Sequence, residues 1–136
     1  MEVQKALTEL TFFKKEIEEE ILKLQELTYT KDERFLYSNI TFIKSDLEYI
    51  AESIDYLNKP IVQTGYLHTK DGHIYIDDFL LQAGDCIEAF IDNEWVSVDI
   101  FYVRGQLQAE FLTSHLEEGT IPSRIRMTTE EFSLRQ

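Results

Sequence analysis

Cysteine occurs once in the 136 residues, as Cys86, so no disulfide can close within the chain, and a lone thiol fits a reducing cytoplasm. Long apolar runs are missing as well. No stretch approaches the roughly 18 consecutive apolar residues of a membrane span, and nothing near the N-terminus reads as a basic segment followed by an apolar one. Neither a membrane anchor nor a secretory leader is expected. Basic residues are scarce: 13 Lys and Arg stand against 26 Asp and Glu, a net charge of −13. Such a chain has no cationic surplus with which to displace counterions from a phosphate backbone, which argues against direct nucleic-acid binding.

Residues with catalytic or metal-binding chemistry are also thin. His68, His73, His115 and Cys86 are the only soft ligands. His68 and His73 flank the "TKDG" turn and could meet across it with Cys86 to hold zinc, but no C-x-x-C or H-x-x-x-H spacing occurs. Hairpin histidines and a packed thiol are the plainer reading, so no metal and no cofactor are expected. A Cys–His hydrolase would need a nucleophile elbow or an activating helix terminus beside Cys86, and neither is visible. The neighbours Asp77 and Asp78 could hold Mg²⁺, but among 26 acids a solvated turn accounts for them. No phosphate-loop pattern occurs. The chain reads as a non-enzyme.

What is present is apolar and aromatic: hydrophobic residues make up 43% of the chain, with nine Phe, seven Tyr and one Trp, enough for a folded core despite the charge. Residues 2 to about 27 carry Val3, Leu7, Leu10, Ile17, Ile21 and Leu24 at 4-3 spacing, interrupted by Lys14. Residues 35–59 repeat the pattern with Leu36, Ile40, Ile43, Leu47, Ile50, Ile54 and Leu57. Between them "TYTKDERF" is a break in which Thr30 or Asp32 can cap the second helix. Two antiparallel helices joined by a short loop follow. The second also bears Phe35, Phe42, Tyr49 and Tyr56, one aromatic every seventh residue, about 100° around the helix from the seam. One neighbouring helix cannot cover both, so this column is expected to meet either the rest of the chain or a second copy of it.

After "NKP" the helix ends and the periodicity changes to two. Short β-branched and aromatic runs follow, separated by "KDG", "QAGD", "DNE" and "RG", with Gly65, Gly72, Gly84 and Gly105 at bends. Five short strands in about 55 residues predict a small, strongly bent antiparallel barrel. In "CIEAFIDNEWVSVDIFYV" the acids Glu88 and Asp99 alternate with apolar residues, predicting a hairpin with one apolar and one charged face. The last stretch reads as a loop, an edge strand near Ile125–Met127 and a short helix capped by Thr128 or Thr129. The expected class is therefore α+β: a helical hairpin over 1–59, a small β-barrel over 60–115, and an edge strand with a short helix over 116–136.

The order of features within 65–112 is similar to a small uncharacterised domain common on conjugative elements and phages of Gram-positive bacteria: a Gly-aromatic-Leu opening, a D-G turn, a Leu-x-Ala-Gly-Asp bend, an Ile-Glu-Ala strand and a Trp starting the next strand. The resemblance implies a compact Src-homology-3-like barrel and an origin in a mobile element, where small acidic proteins antagonise host nucleases. It carries no catalytic residues. Residues 61–115 hold 2 basic against 9 acidic residues, the most one-sided part of the chain. Two functions are expected from these features. One is a non-enzymatic inhibitor, anti-CRISPR-like, whose carboxylates enter a basic nucleic-acid groove of a host nuclease, for which a type II CRISPR nuclease is a candidate. Its contact residues would be Asp77, Asp78, Asp85, Asp92, Glu94, Trp95 and Asp99. The other is a dimeric structural or accessory module of a plasmid, transposon or phage, held by its helices, with the charge serving solubility alone.

Overall fold

The computed structural model describes residues 2–110, 112 and 119–136; His115 lies outside them. The chain divides into two compact units, Met1–Lys59 and Pro60–Gln136.

The first unit contains α1 (Val3–Gln25) and α2 (Arg34–Asn58), joined through one 3₁₀ turn at Lys31–Glu33. The connection is built as its sequence proposes. The Glu33 carboxylate accepts bonds from the backbone N–H of Thr30 at 3.0 Å and from its hydroxyl at 2.8 Å, which holds the Glu33 carboxyl below its ordinary pKa. Lys14, the interruption in the α1 seam, reaches α2 and donates to Asp55 while pairing with Glu18 at 3.2 Å. These bonds to Asp55 and Glu18 raise its pKa. One turn away, Asn58 Nδ2 donates to Thr11 Oγ1 at 2.9 Å. Among the described residues of the unit, Ile21, Ala51 and Ile54 are the buried apolar ones.

The second unit is a curled antiparallel sheet, a half-barrel. Its strands are β1 (Ile61–Lys70), β2 (His73–Ile76), β3 (Phe79–Leu80), β4 (Cys86–Ile91), β5 (Glu94–Val103), β6 (Gln106–Ala109) and β7 (Ile121–Arg126). The spatial order is β3-β2-β1-β7-β4-β5-β6. Three of the hairpin loops have two residues, both at positive φ: Asp71–Gly72, Asp92–Asn93 and Arg104–Gly105. That backbone matches the right-handed twist of the flanking strands, and it explains why short polar or glycine pairs punctuate the apolar runs. The "edge strand" expected near residue 125 is instead interior. β7 pairs with β1 along Ile61–Leu67 and with β4 along Ile87–Ala89, so it joins two three-stranded meanders into one sheet. A final helix, α3 (Thr129–Leu134), starts with a Thr128–Glu131 capping box.

A flat sheet of seven strands would span roughly 30 Å. Here the inner side chains of every strand converge on one core: Leu67, Ile74, Ile76, Phe79, Leu81, Ile87, Ala89, Val98, Ile100, Ala109, Ile125 and Met127, with Leu112. Residues from the β1–β2 and β5–β6 hairpins line one cleft of about 640 Å³, so the ends of the sheet approach each other. Among the described residues, no helix is long and apolar enough to cross a membrane.

Where β1 passes the β2–β3 turn, the side chain of Asp77 takes the place of a ladder partner. Its Oδ1 accepts from the Tyr66 N–H at 2.8 Å, its own N–H donates to the Tyr66 carbonyl at 3.0 Å, and its carboxylate lies over Gly65, where a Cβ would overlap it. Gly65→Ala should therefore displace this carboxylate and lower stability by about 1–3 kcal/mol, measured by urea unfolding.

Candidate protein-binding face

The β4–β5 hairpin exposes both acidic and aromatic residues. Its register opposes Cys86 to Asp99, Glu88 to Ser97 and Phe90 to Trp95. With side chains alternating along a strand, Trp95, Ser97, Asp99, Phe101 and Val103 share the outer face of β5, and all five are exposed. Phe90 and Trp95 form a tilted ring pair, centroids 5.2 Å apart. Asp92 and Glu94 stand at the adjoining turn, both exposed. The hairpin thus exposes an apolar ring pair together with three carboxylates, at its turn and farther along β5.

Against Trp95 lies a polar network that sequence patterning did not reveal. Glu88 was expected on a charged outer face, yet it is 9% exposed. Its Oε1 accepts from Arg124 Nε at 2.7 Å and its Oε2 from Arg126 Nε at 2.7 Å. Arg124 also stacks on Trp95, its guanidinium carbon 3.9 Å from the ring centroid. A carboxylate can be buried this deeply because two cations satisfy it. Trp95 remains 40% exposed on top of the pair. The sequence signal was the alternation in "RIR", but only the β4–β7 register sets Arg124 opposite Glu88.

The remaining acids divide into two kinds. Asp77 belongs to the strand junction. Asp85 forms a two-pronged pair with Arg135, at 2.9 and 2.7 Å, and accepts from the Gln82 N–H at 2.8 Å. Arg135 also donates to the Leu80 carbonyl, and Phe132 stacks on Phe79 at 5.7 Å, so these contacts bind α3 to the sheet. Asp78, Asp92, Glu94 and Asp99 have exposed side chains. The backbone N–H of Asp99 donates to the Glu110 carboxylate at 3.2 Å. Of the seven expected contact residues, the structure gathers Asp92, Glu94, Trp95 and Asp99 on one hairpin and places Asp77, Asp78 and Asp85 in turns elsewhere.

The other candidates separate. His68 Nε2 lies 2.6 Å from the Asp77 carbonyl and its ring stacks on Tyr75, while Cys86 Sγ is 3.6 Å from Ser97 Oγ. His73 is exposed at the cleft mouth. Among the described residues, no group of three His, Cys, Asp or Glu side chains is placed to hold a metal ion. In the aromatic column, Phe35, Phe42 and Tyr49 are exposed and Tyr56 is half-buried.

The two kinds of acid should respond differently to substitution. Asp85→Ala leaves a mostly buried guanidinium without its carboxylate and should cost about 2–4 kcal/mol. Asp92→Ala at the open turn should stay within about 1 kcal/mol of wild type. Thermal and urea unfolding of the two variants side by side check this contrast.

No protein-family model matches the chain, and neither a curated protein nor a solved structure matches it.

Proposed function

We propose that the chain is a non-enzymatic protein-binding protein whose β4–β5 face docks on a basic protein surface, of the kind that otherwise holds a nucleic-acid backbone. The observation that carries this reading is one hairpin that exposes Asp92, Glu94 and Asp99 together with the Phe90–Trp95 pair. Carboxylates accept hydrogen bonds from the same Arg and Lys that bind phosphate, and an exposed Trp beside them supplies the apolar contact on which interfaces depend. The surplus negative charge would accelerate encounter with a cationic partner. In this reading the two helices form an antiparallel hairpin, since Lys14 meets Asp55 and Thr11 meets Asn58. The half-barrel is then a variant of the small Src-homology-3-like barrel that residues 65–112 resemble. The setting is the cytoplasm of a bacterium carrying a mobile element, and the partner is a host nuclease, with a type II CRISPR nuclease as the candidate.

A guide-loaded type II CRISPR nuclease is the direct probe. The protein should compete with target duplex for it, and the affinity should fall at least about tenfold between low and physiological salt. Replacing Asp92, Glu94 and Asp99 together with Lys should abolish competition while leaving the unfolding midpoint within about 5 °C. Competition that ignores both salt and charge reversal would refute the mimicry.

A further inference from the structure

The helical unit leaves half of its own heptad pattern unused. In α2 the column Ile40, Leu47, Ile54 is half-buried to buried, while the companion column Leu36, Ile43, Ile50, Leu57 is 42–58% exposed. In α1 the column through Leu7, Lys14 and Ile21 is half-buried to buried, whereas in its companion column Val3 and Leu10 are 88% and 48% exposed and Ile17 and Leu24 are half-buried. The open column lies four residues before the covered one in both helices. Because antiparallel helices turn in opposite senses when viewed end-on, equal offsets emerge on the same flank. Under the hairpin reading, on which this inference rests, the two companion columns lie on one side, open along α2 and over the first half of α1.

We infer that this side is the interface of a homodimer, in which two hairpins complete a four-helix bundle. Three arguments fix the occupant as a second copy. The open columns continue the 4-3 repeat that already packs α1 against α2, so the surface they require is a pair of helices bearing the same repeat. Such a contact is isologous and closes with two-fold symmetry. The area also suffices: at roughly 150–200 Å² per large side chain, the open residues leave roughly 500–700 Å² of apolar surface per chain. That lies at the upper end of what a soluble monomer leaves in one patch, roughly 300–600 Å², and, with a polar rim, reaches the roughly 800 Å² per partner of a stable interface. Charge opposes association, since each copy carries −13. The dimer therefore strengthens as salt rises, opposite in sign to the charge-driven docking proposed for the β4–β5 face.

Light scattering coupled to size exclusion, on the full chain, tests this. Wild type should run at twice its 16.1 kDa mass. Its dissociation constant should fall as NaCl rises from about 0.05 to about 0.5 M. Ile43→Glu with Ile50→Glu should weaken the dimer by at least about 30-fold and leave the helical circular dichroism intact, because both side chains already meet water in the single chain. Phe12→Glu, on the far side of α1, should remain dimeric. A wild-type monomer at about 100 μM and about 0.5 M salt overturns the inference, as does a dimer indifferent to Ile43 and Ile50. Failure of the hairpin itself reads out separately: Ile21→Glu, at a buried position, would then leave the helical melt unchanged whatever the mass.

Discussion

Two 2.7 Å hydrogen bonds, from Arg124 and Arg126 to the two oxygens of Glu88, fasten the strand on which the whole sheet depends. β1–β3 and β4–β6 are separate meanders, each closed by local hairpins. Among the described strands, only β7 bonds to both. A slip of one residue between β4 and β7 would turn Ile125 outward and the arginines into the core. Burying Glu88 makes that slip costly, because the carboxylate would then lose both cations. The inner face of the sheet is general and apolar, whereas the outer salt bridge specifies one register.

The same cluster connects fold to surface. Arg124 holds Glu88 on one side and lies against Trp95 on the other. The indole is thereby fixed in position while a large part stays in water, and a pre-positioned aromatic loses little conformational freedom on binding. Acidity at the surface is selective. Asp77, Asp85 and Glu88 are spent on the fold, and the carboxylates left open on the β4–β5 hairpin are those of its turn and of β5.

Local patterns carried much of this architecture into the sequence. The two 4-3 seams located α1 and α2 to within a few residues, and Thr30 and Thr128 sit in the capping boxes their spacing implies. The "KDG", "DNE" and "RG" punctuation marked true two-residue hairpin loops. What stayed hidden was non-local. β7 reads as an edge because only two or three of its residues alternate cleanly, and nothing in a strand's own residues reveals whether it has one neighbour or two. Arg135 and Asp85 are fifty residues apart, so their pairing, like that of Glu88 with Arg124, comes from topology. The heptad seams gave the helices but could not say which of their two columns face each other.

The interior position of β7 also sets a timetable. As the chain emerges during synthesis, β1–β3 is complete by Leu80, yet the strand that must lie beside β1 begins only at Ile121. At ~5–20 residues per second the open flank of β1 waits roughly 2–8 s. During that interval a row of backbone donors and acceptors is available to any passing strand, the usual starting point for misassembly. The bulge near Val62, and Gly65 farther along β1, break the regularity of that flank. The helices, whose hydrogen bonds are local, need not wait. They can be formed before the sheet begins, so the nascent protein is for a time a helical unit trailing an unfinished sheet.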